Sequence, residues 1–220
     1  MNLLSRLRKP PFQTLSSQNA YAQWAKTYPA EAHNVLMQVE QTALLDLMPP
    51  LQGRQVLDLG CGTGRWGKLA LANGAAGVIG LDNSLPMLQA GILETIAQAE
   101  MSDLPLAPNS IDAILCGLAM GHLTPIAMRR AILEMGRVLK SGGMALISDF
   151  HPFQAWQGGQ RTFTGDDGRT YAVEHYIHSY ADYFDAGQTA GLTLDAVGEP
   201  CHPNVAGGKI PLILALRFVK

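Results

Sequence analysis

From position 56 to 64 the chain reads VLDLGCGTG, with Gly60, Gly62 and Gly64 at alternate positions directly after a short apolar stretch. Residues without side chains at a strand end let backbone N–H and C=O groups approach a ligand closely, and the start of a following helix favours an anionic group. Asp82 ends a second apolar stretch in GLDNSLPML. A carboxylate there can accept hydrogen bonds from both hydroxyls of a ribose, so the two signals together describe a nucleoside site. Positions 62 to 67 also satisfy GxGxxG, which keeps a nicotinamide-dependent oxidoreductase as an alternative. Asp58 inside the strand end, and a GxG pair ahead of that fingerprint, favour a different nucleoside ligand.

Groups able to move a proton are His33, His122, His151, His175, His178 and His202. His122 and His151 each follow an apolar strand, at the carboxyl edge where ligands bind in open α/β sheets, and are the leading candidates for a general base. The competing reading has His122 hydrogen-bonding a loop backbone and His151, before Pro152, serving a turn. In YAVEHYIH, strand alternation places Tyr176 and His178 on one face, where with Tyr180 they could line an acceptor pocket. An aromatic patch packed on the sheet or on another subunit is the other reading. Cys201-His202 has no second Cys or His pair at ligand spacing, so no metal site is expected.

The elements that must position these residues alternate. Short apolar runs at 56–60, 77–82, 113–118 and 144–148 read as buried parallel strands. A helix follows the third, opened by Thr124 as N-cap and Pro125, with Ile126, Ile132, Leu133, Met135, Val138 and Leu139 as its apolar faces, and ended by Ser141-Gly142-Gly143. Helical periodicity over 19–48 points Val35, Val39, Thr42 and Leu45 inward, flanked by Leu36, Leu44 and Leu47, until Pro49-Pro50. The final third breaks the alternation: a hairpin around 165–168, a helix over 179–191, then strands at 192–197 and 211–220 that must run antiparallel for want of a crossover helix. The fold class is α/β: a Rossmann-like, open, mostly parallel sheet with helices on both faces, an antiparallel C-terminal edge strand and an inserted β-hairpin lid.

Composition limits the function. The 220 residues carry a net charge of −2 and are 15% charged and 47% hydrophobic. About 25% charged is usual, so a large core is expected and disorder is excluded. Beyond Arg6, Arg8 and Lys9 no basic stripe exists to neutralise phosphates, so no nucleic acid is expected as partner. No apolar run reaches the roughly 18 residues of a membrane span, and the start lacks a secretory h-region. Cys61, Cys116 and Cys201, without CxxC spacing, fit reduced thiols and a cytoplasmic location. Eight of the aromatic residues crowd into 151–184.

VLDLGCGTG, GLDNSLPML, AEMSDLPLAPNSIDAILC and EMGRVLKSGGMALI, in this order and spacing, resemble the class I S-adenosylmethionine-dependent methyltransferases of small-molecule type, over roughly residues 19–150. The resemblance implies that Gly60, Cys61, Gly62 and Gly64 line the methionyl and ribose part, with Asp58 holding the loop or the ligand's amino group. It implies Asp82 on the ribose, Asn83 and Met87 beside adenine, and Leu118 near the methionine. Glu100-Met101 stands where the family often has Asp-Ala, so the acidic contact to the adenine amino group shifts to a longer side chain, with Asp103 as a fallback. Tyr21 and Tyr28 resemble the aromatic N-terminal lid helix that closes over the cofactor; alternatively they form, with Trp24, a stripe packed on the core.

The expectation is a single domain with a helical lid (1–50), a cofactor core (51–150), an inserted hairpin (151–180) and a C-terminal helix and strands (181–220). It would transfer a methyl group from S-adenosylmethionine, with S-adenosylhomocysteine as product, to O, N or C of a small-molecule acceptor, without a membrane, as a monomer or homodimer. His122, His151, His178 and Tyr176 are the candidate catalytic residues. Alternatives are carboxyl methylation of a carrier-protein thioester and a non-catalytic cofactor-binding module.

Overall fold

The computed structural model describes residues 12–201 and 210–220. Arg6, Arg8, Lys9 and His202 therefore lie outside the described residues, and with them the Cys201-His202 reading.

A seven-stranded sheet forms the body. Its strands are β2 (Gln55–Leu59), β3 (Gly77–Asp82), β4 (Ile96–Gln98), β5 (Ile111–Gly117), β6 (Leu139–Phe150), β9 (Thr193–Gly198) and β10 (Ile213–Val219), in the order β4-β3-β2-β5-β6-β10-β9. The pairs from β4 to β6 are parallel, and β10 is antiparallel to both neighbours. The order reverses between β2 and β5, so their carboxyl ends splay apart and leave a crevice there.

Helices cover both faces, and residue parity along each strand decides which. Leu57, Ile114, Ile147 and Leu216 join a core roofed by α5 (Pro125–Val138) and α7 (Tyr180–Thr189) through Met128, Ile132 and Tyr183. Val56, Leu115, Leu146 and Ala215 join the opposite core under α2 (Val35–Leu47) and α3 (Arg65–Ala72) through Met37, Leu44, Trp66 and Ala70. Local signals set the helix ends. Thr124 caps α5 by accepting from the Ala127 N–H with Pro125 in the first turn, and Ser179 and Asp182 form a capping box on α7.

A second, three-stranded sheet has the order β1-β8-β7. The hairpin β7 (Thr162–Thr164) and β8 (Thr170–Val173) is joined by the N-terminal strand β1 (Gln13–Leu15), which pairs parallel with β8. After β1, α1 (Ser17–Trp24) and a 3-10 turn (Ala25–Thr27) run across the crevice. Sequence patterning anticipates the hairpin but not its third strand, because three residues carry no period.

Three expectations need correction. The periodic stretch 19–48 is two helices, interrupted at Tyr28-Pro29 and restarted by Asn34 as N-cap. The buried stripe of α2 is Met37, Glu40, Ala43 and Leu44, whereas Val35 is exposed and Thr42 faces solvent. Glu40, which the expected stripe did not include, is fully buried and shifts it. On α5, Ile126 and Leu133 are exposed and the helix yields to β6 at Leu139, before Ser141-Gly142-Gly143.

Candidate functional site

The crevice at the β2/β5 switch point is a cavity. Its floor is the turn after β2. Gly60 and Gly62 have φ of +69° and +53°, a region side chains rarely adopt. A Cβ on Gly60 would lie 2.5 Å from Met101 Cε and 2.6 Å from Ala119 Cβ, so glycine keeps both backbone and neighbours in place. Asp82 closes the turn: Oδ2 accepts from the Gly62 N–H at 2.8 Å and Oδ1 from the Ser84 N–H at 2.8 Å. Among the described residues no cation pairs with it, and burial, against these backbone bonds, raises its pKa. Asp82 itself lines the cavity.

Asn83, Met87, Glu100 and Met101 line one end, Glu100 on its exposed rim. Cys61 and Leu118 line the wall; burial pushes the Cys61 thiol far up, so it stays protonated. Leu118 has φ of +56°, rare for a branched side chain, at the point where the chain leaves β5. Its N–H donates to Ser148 and its C=O accepts from Arg161 Nη1 at 2.9 Å.

Tyr21 and Tyr28 also line the cavity and belong to an aromatic stack that fastens the lid. Tyr21 stacks on Trp24 at 6.0 Å and Trp24 on Phe163 at 5.1 Å, which ties α1 to β7, while Tyr21 meets the His122 ring edge-on at 5.3 Å. Tyr21 and Tyr28 thus pack in the aromatic stripe and line the cavity at the same time.

His122 lines the cavity, but its proton chemistry is constrained. Nδ1 lies 2.9 Å from the Glu174 carbonyl, and Nε2 lies 3.0 Å from Arg161 Nη1 and 3.0 Å from the Tyr21 hydroxyl. Arg161 can only donate, so Nε2 accepts and Nδ1 carries the proton toward Glu174. Burial, with the Arg161 charge, lowers the imidazole to about 3. A neutral ring with its lone pair already engaged is a poor base.

Five further sequence candidates stand apart from the cavity lining. His151 caps α6 (Pro152–Trp156), accepting from the Phe153 N–H, with Nε2 3.0 Å from Glu199. His178 is buried against Tyr183, its Nε2 3.0 Å from the Leu123 carbonyl. β8 stops at Val173, so the alternation invoked for Tyr176 and His178 ends before reaching them; Tyr176 is half-buried and its backbone N–H donates to Gly121. Asp58 lies beneath the turn with Oδ2 accepting from the Gly67 N–H at 2.6 Å, raised by burial to about 7; it holds the loop to α3. Gly64, at φ +94°, is the N-cap of α3 and also lies outside the lining.

Sequence reasoning missed two charged residues here. Arg65 lines the cavity and donates to the buried Glu40 at 2.7 Å; Glu40 also accepts from Trp66 Nε1 at 3.1 Å and Ser148 Oγ at 2.7 Å. Arg161, 9% exposed, sits immediately before β7 and also lines the cavity. No local pattern sets Arg161 apart from the insert's other charged residues, Asp166, Asp167, Arg169 and Glu174, and nothing in α2 marked Glu40 as internal.

The sheet order, the glycine turn and the carboxylate after β3 define a Rossmann-like fold of the class I methyltransferase type. Residues 56–143 match the protein family described as "Methyltransferase domain". It is 29% identical over 184 residues to an uncharacterised methyltransferase of Geobacillus sp. (strain WCH70), covering 81% of each chain. It is 32% identical over 152 residues to the malonyl-[acyl-carrier protein] O-methyltransferase of Gallionella capsiferriformans, covering 62% of this chain and 49% of that protein. It superposes on the crystal structure of an S-adenosylmethionine dependent methyltransferase from Mesorhizobium loti with TM-score 0.69 at 22% identity, covering 83% of this chain and 98% of that one. The chain spans about half the length of the first curated methyltransferases it matches, with 48% to 50% of those proteins covered. Among the described residues no helix is long and apolar enough to cross a membrane.

Proposed function

We propose that this chain transfers a methyl group from S-adenosylmethionine to a small-molecule acceptor. The observation that carries the reading is Asp82, a half-buried carboxylate with no cation partner among the described residues, which accepts from the Gly62 and Ser84 N–H groups and lines a cavity floored by Gly60 and Gly62. That arrangement fits a ribose diol, which offers two hydroxyl donors to one carboxylate. Asn83, Met87, Glu100 and Met101 would flank the base, and Gly60, Cys61 and Leu118 the amino-acid arm.

When bound, the cofactor supplies a methyl group already activated on a sulfonium, so the protein's own residues act mainly by position. Tyr21 and Tyr28 roof the cavity and exclude water. The His122–Tyr21–Arg161 cluster holds the roof to the end of β5 and leaves no free imidazole lone pair, so the acceptor loses any proton to water or enters already ionised. His151 and His178 serve structure in this reading.

Calorimetry with S-adenosylhomocysteine and NAD tests the cofactor. Micromolar binding of the first and none of the second is expected; the reverse overturns the proposal. Mass spectrometry of a metabolite extract incubated with labelled cofactor then identifies the methylated product. The likeness to the malonyl-[acyl-carrier protein] enzyme supports a second reading, an acceptor held on a carrier protein, for which the extract must contain carriers.

A further inference from the structure

Arg161 is a buried cation without a counter-charge. It is 9% exposed, and among the described residues no carboxylate lies within ion-pair distance of it. The stretches 1–11 and 202–209 contain no Asp or Glu that could supply one. The carboxylates that reach it electrostatically, Asp149 and Glu40, are already committed. Asp149 accepts from Tyr183 at 2.7 Å and from the Phe150 N–H, and Glu40 from Arg65, Trp66 and Ser148. The hydrogen bonds Arg161 makes within the described residues, to Leu118 and His122, both use Nη1. No hydrogen bond to a described residue uses Nε or Nη2, and Arg161 lines the cavity, so this edge is available to a ligand there.

An isolated charge taken from water is costly unless an anion meets it. Arg65, the other cation in the lining, is neutralised by Glu40, so Arg161 is the unbalanced one. A sulfonium cofactor in the same cavity adds a second positive charge, and its amino-acid arm, a zwitterion, adds no net charge to offset it. Asp82, in the same lining, is assigned to the ribose diol and lies outside ion-pair distance of Arg161, so the sulfonium and Arg161 are the two positive groups left for an acceptor to meet. An anionic acceptor lies between them and relieves both.

We infer that the acceptor carries one compact oxyanion, a carboxylate before others, and that the free Nε and Nη2 edge of Arg161 receives it. This rests on the methyl-transfer reading and narrows its substrate class. A single guanidinium edge matches one carboxylate in bidentate geometry. With no second free cation in the lining, polyphosphates and nucleic acids are not favoured. The His122 bond fixes the guanidinium plane, so His122 is a positioning residue here.

The experiment uses the full chain loaded with S-adenosylhomocysteine and a calorimetric panel of acetate, butyrate and benzoate, each beside its amide. The wild type is expected to prefer at least one carboxylate over its amide by about tenfold or more. Arg161→Gln should abolish that preference and Arg161→Lys keep part of it, while the affinity of both variants for S-adenosylhomocysteine stays within about threefold. Equal binding of acids and amides, no carboxylate binding up to about 10 mM, or a preference surviving Arg161→Gln overturns the inference. So does a large loss of S-adenosylhomocysteine affinity in Arg161→Gln with 5′-methylthioadenosine unaffected, because the arginine would then serve the cofactor's own carboxylate. If the wild type binds no S-adenosylhomocysteine, the methyl-transfer reading itself falls.

Discussion

At the scale of single residues, Asp82 and His122 make opposite use of burial. Asp82 lines the cavity with no cation partner among the described residues, so its loss removes up to two charge-assisted hydrogen bonds to the ribose at about 1.5–3 kcal/mol each. Asp82→Ala is expected to weaken S-adenosylhomocysteine binding by about 100-fold or more, read by calorimetry, with Asp82→Asn between the two. His122 has spent its lone pair, and its folded pKa of about 3 lies below the roughly 6.5 of an exposed imidazole. Between those values the unfolded chain binds more protons, so this residue's contribution to stability falls as pH falls. His175, lowered by burial to about 4, acts in the same direction. Asp58 and Asp149, raised by burial to about 7 and about 6, act oppositely, since the folded state keeps their protons and stability falls as pH rises. Deleting His122 tips this balance. For His122→Gln, urea unfolding should show stability declining relative to the wild type from about pH 4.5 to 6.5, by up to about 1.4 kcal/mol per pH unit; parallel profiles would mean the imidazole is solvated.

Among elements, α2 and the lid hold the site from two sides. Glu40 ties α2 to α3 through Arg65 and Trp66 and to β6 through Ser148. Removing it strands a buried guanidinium and two donors, so Glu40→Ala should cost about 3–5 kcal/mol in chemical denaturation. The double change Glu40→Met with Arg65→Met should recover much of that, because no lone charge remains. At the other side of the sheet, Tyr183 donates to Asp149 from α7. Tyr183→Phe leaves that buried carboxylate one donor poorer, with an expected loss of about 1–3 kcal/mol. The α5 cap and the hairpin were legible in sequence because Thr124-Pro125 and Gly165 to Gly168 act through local backbone geometry. The inward stripe of α2 was not, since a buried Glu breaks the apolar period that periodicity reads.

At the scale of the molecule, the lid is built from both distant ends of the N-terminal half and the insert. β1 and α1 join β7 and β8 over the crevice, held by the stack Tyr21–Trp24–Phe163. Small elements of this kind open locally at lower free energy than the main sheet. Saturation with S-adenosylhomocysteine should therefore slow amide hydrogen exchange in residues 13–28 and 162–173 more than in β2, β5 and β6, read by mass spectrometry. Equal protection everywhere would mean the lid does not close on the ligand.

The sequence by itself determined the parallel strands, the glycine turn and Asp82, because each follows from a local pattern: a continuous apolar run, a backbone conformation open to glycine, a carboxylate at a strand end. The same patterns located the hairpin and the antiparallel edge. The tertiary structure alone decided which charges meet. It buried Glu40 beneath Arg65, carried His151 and His178 away from the cavity, engaged the lone pair of His122, and brought Arg161 to the cavity without a partner. Those outcomes depend on contacts between residues far apart in the chain, and pairing of charges in a desolvated space has no period along a sequence.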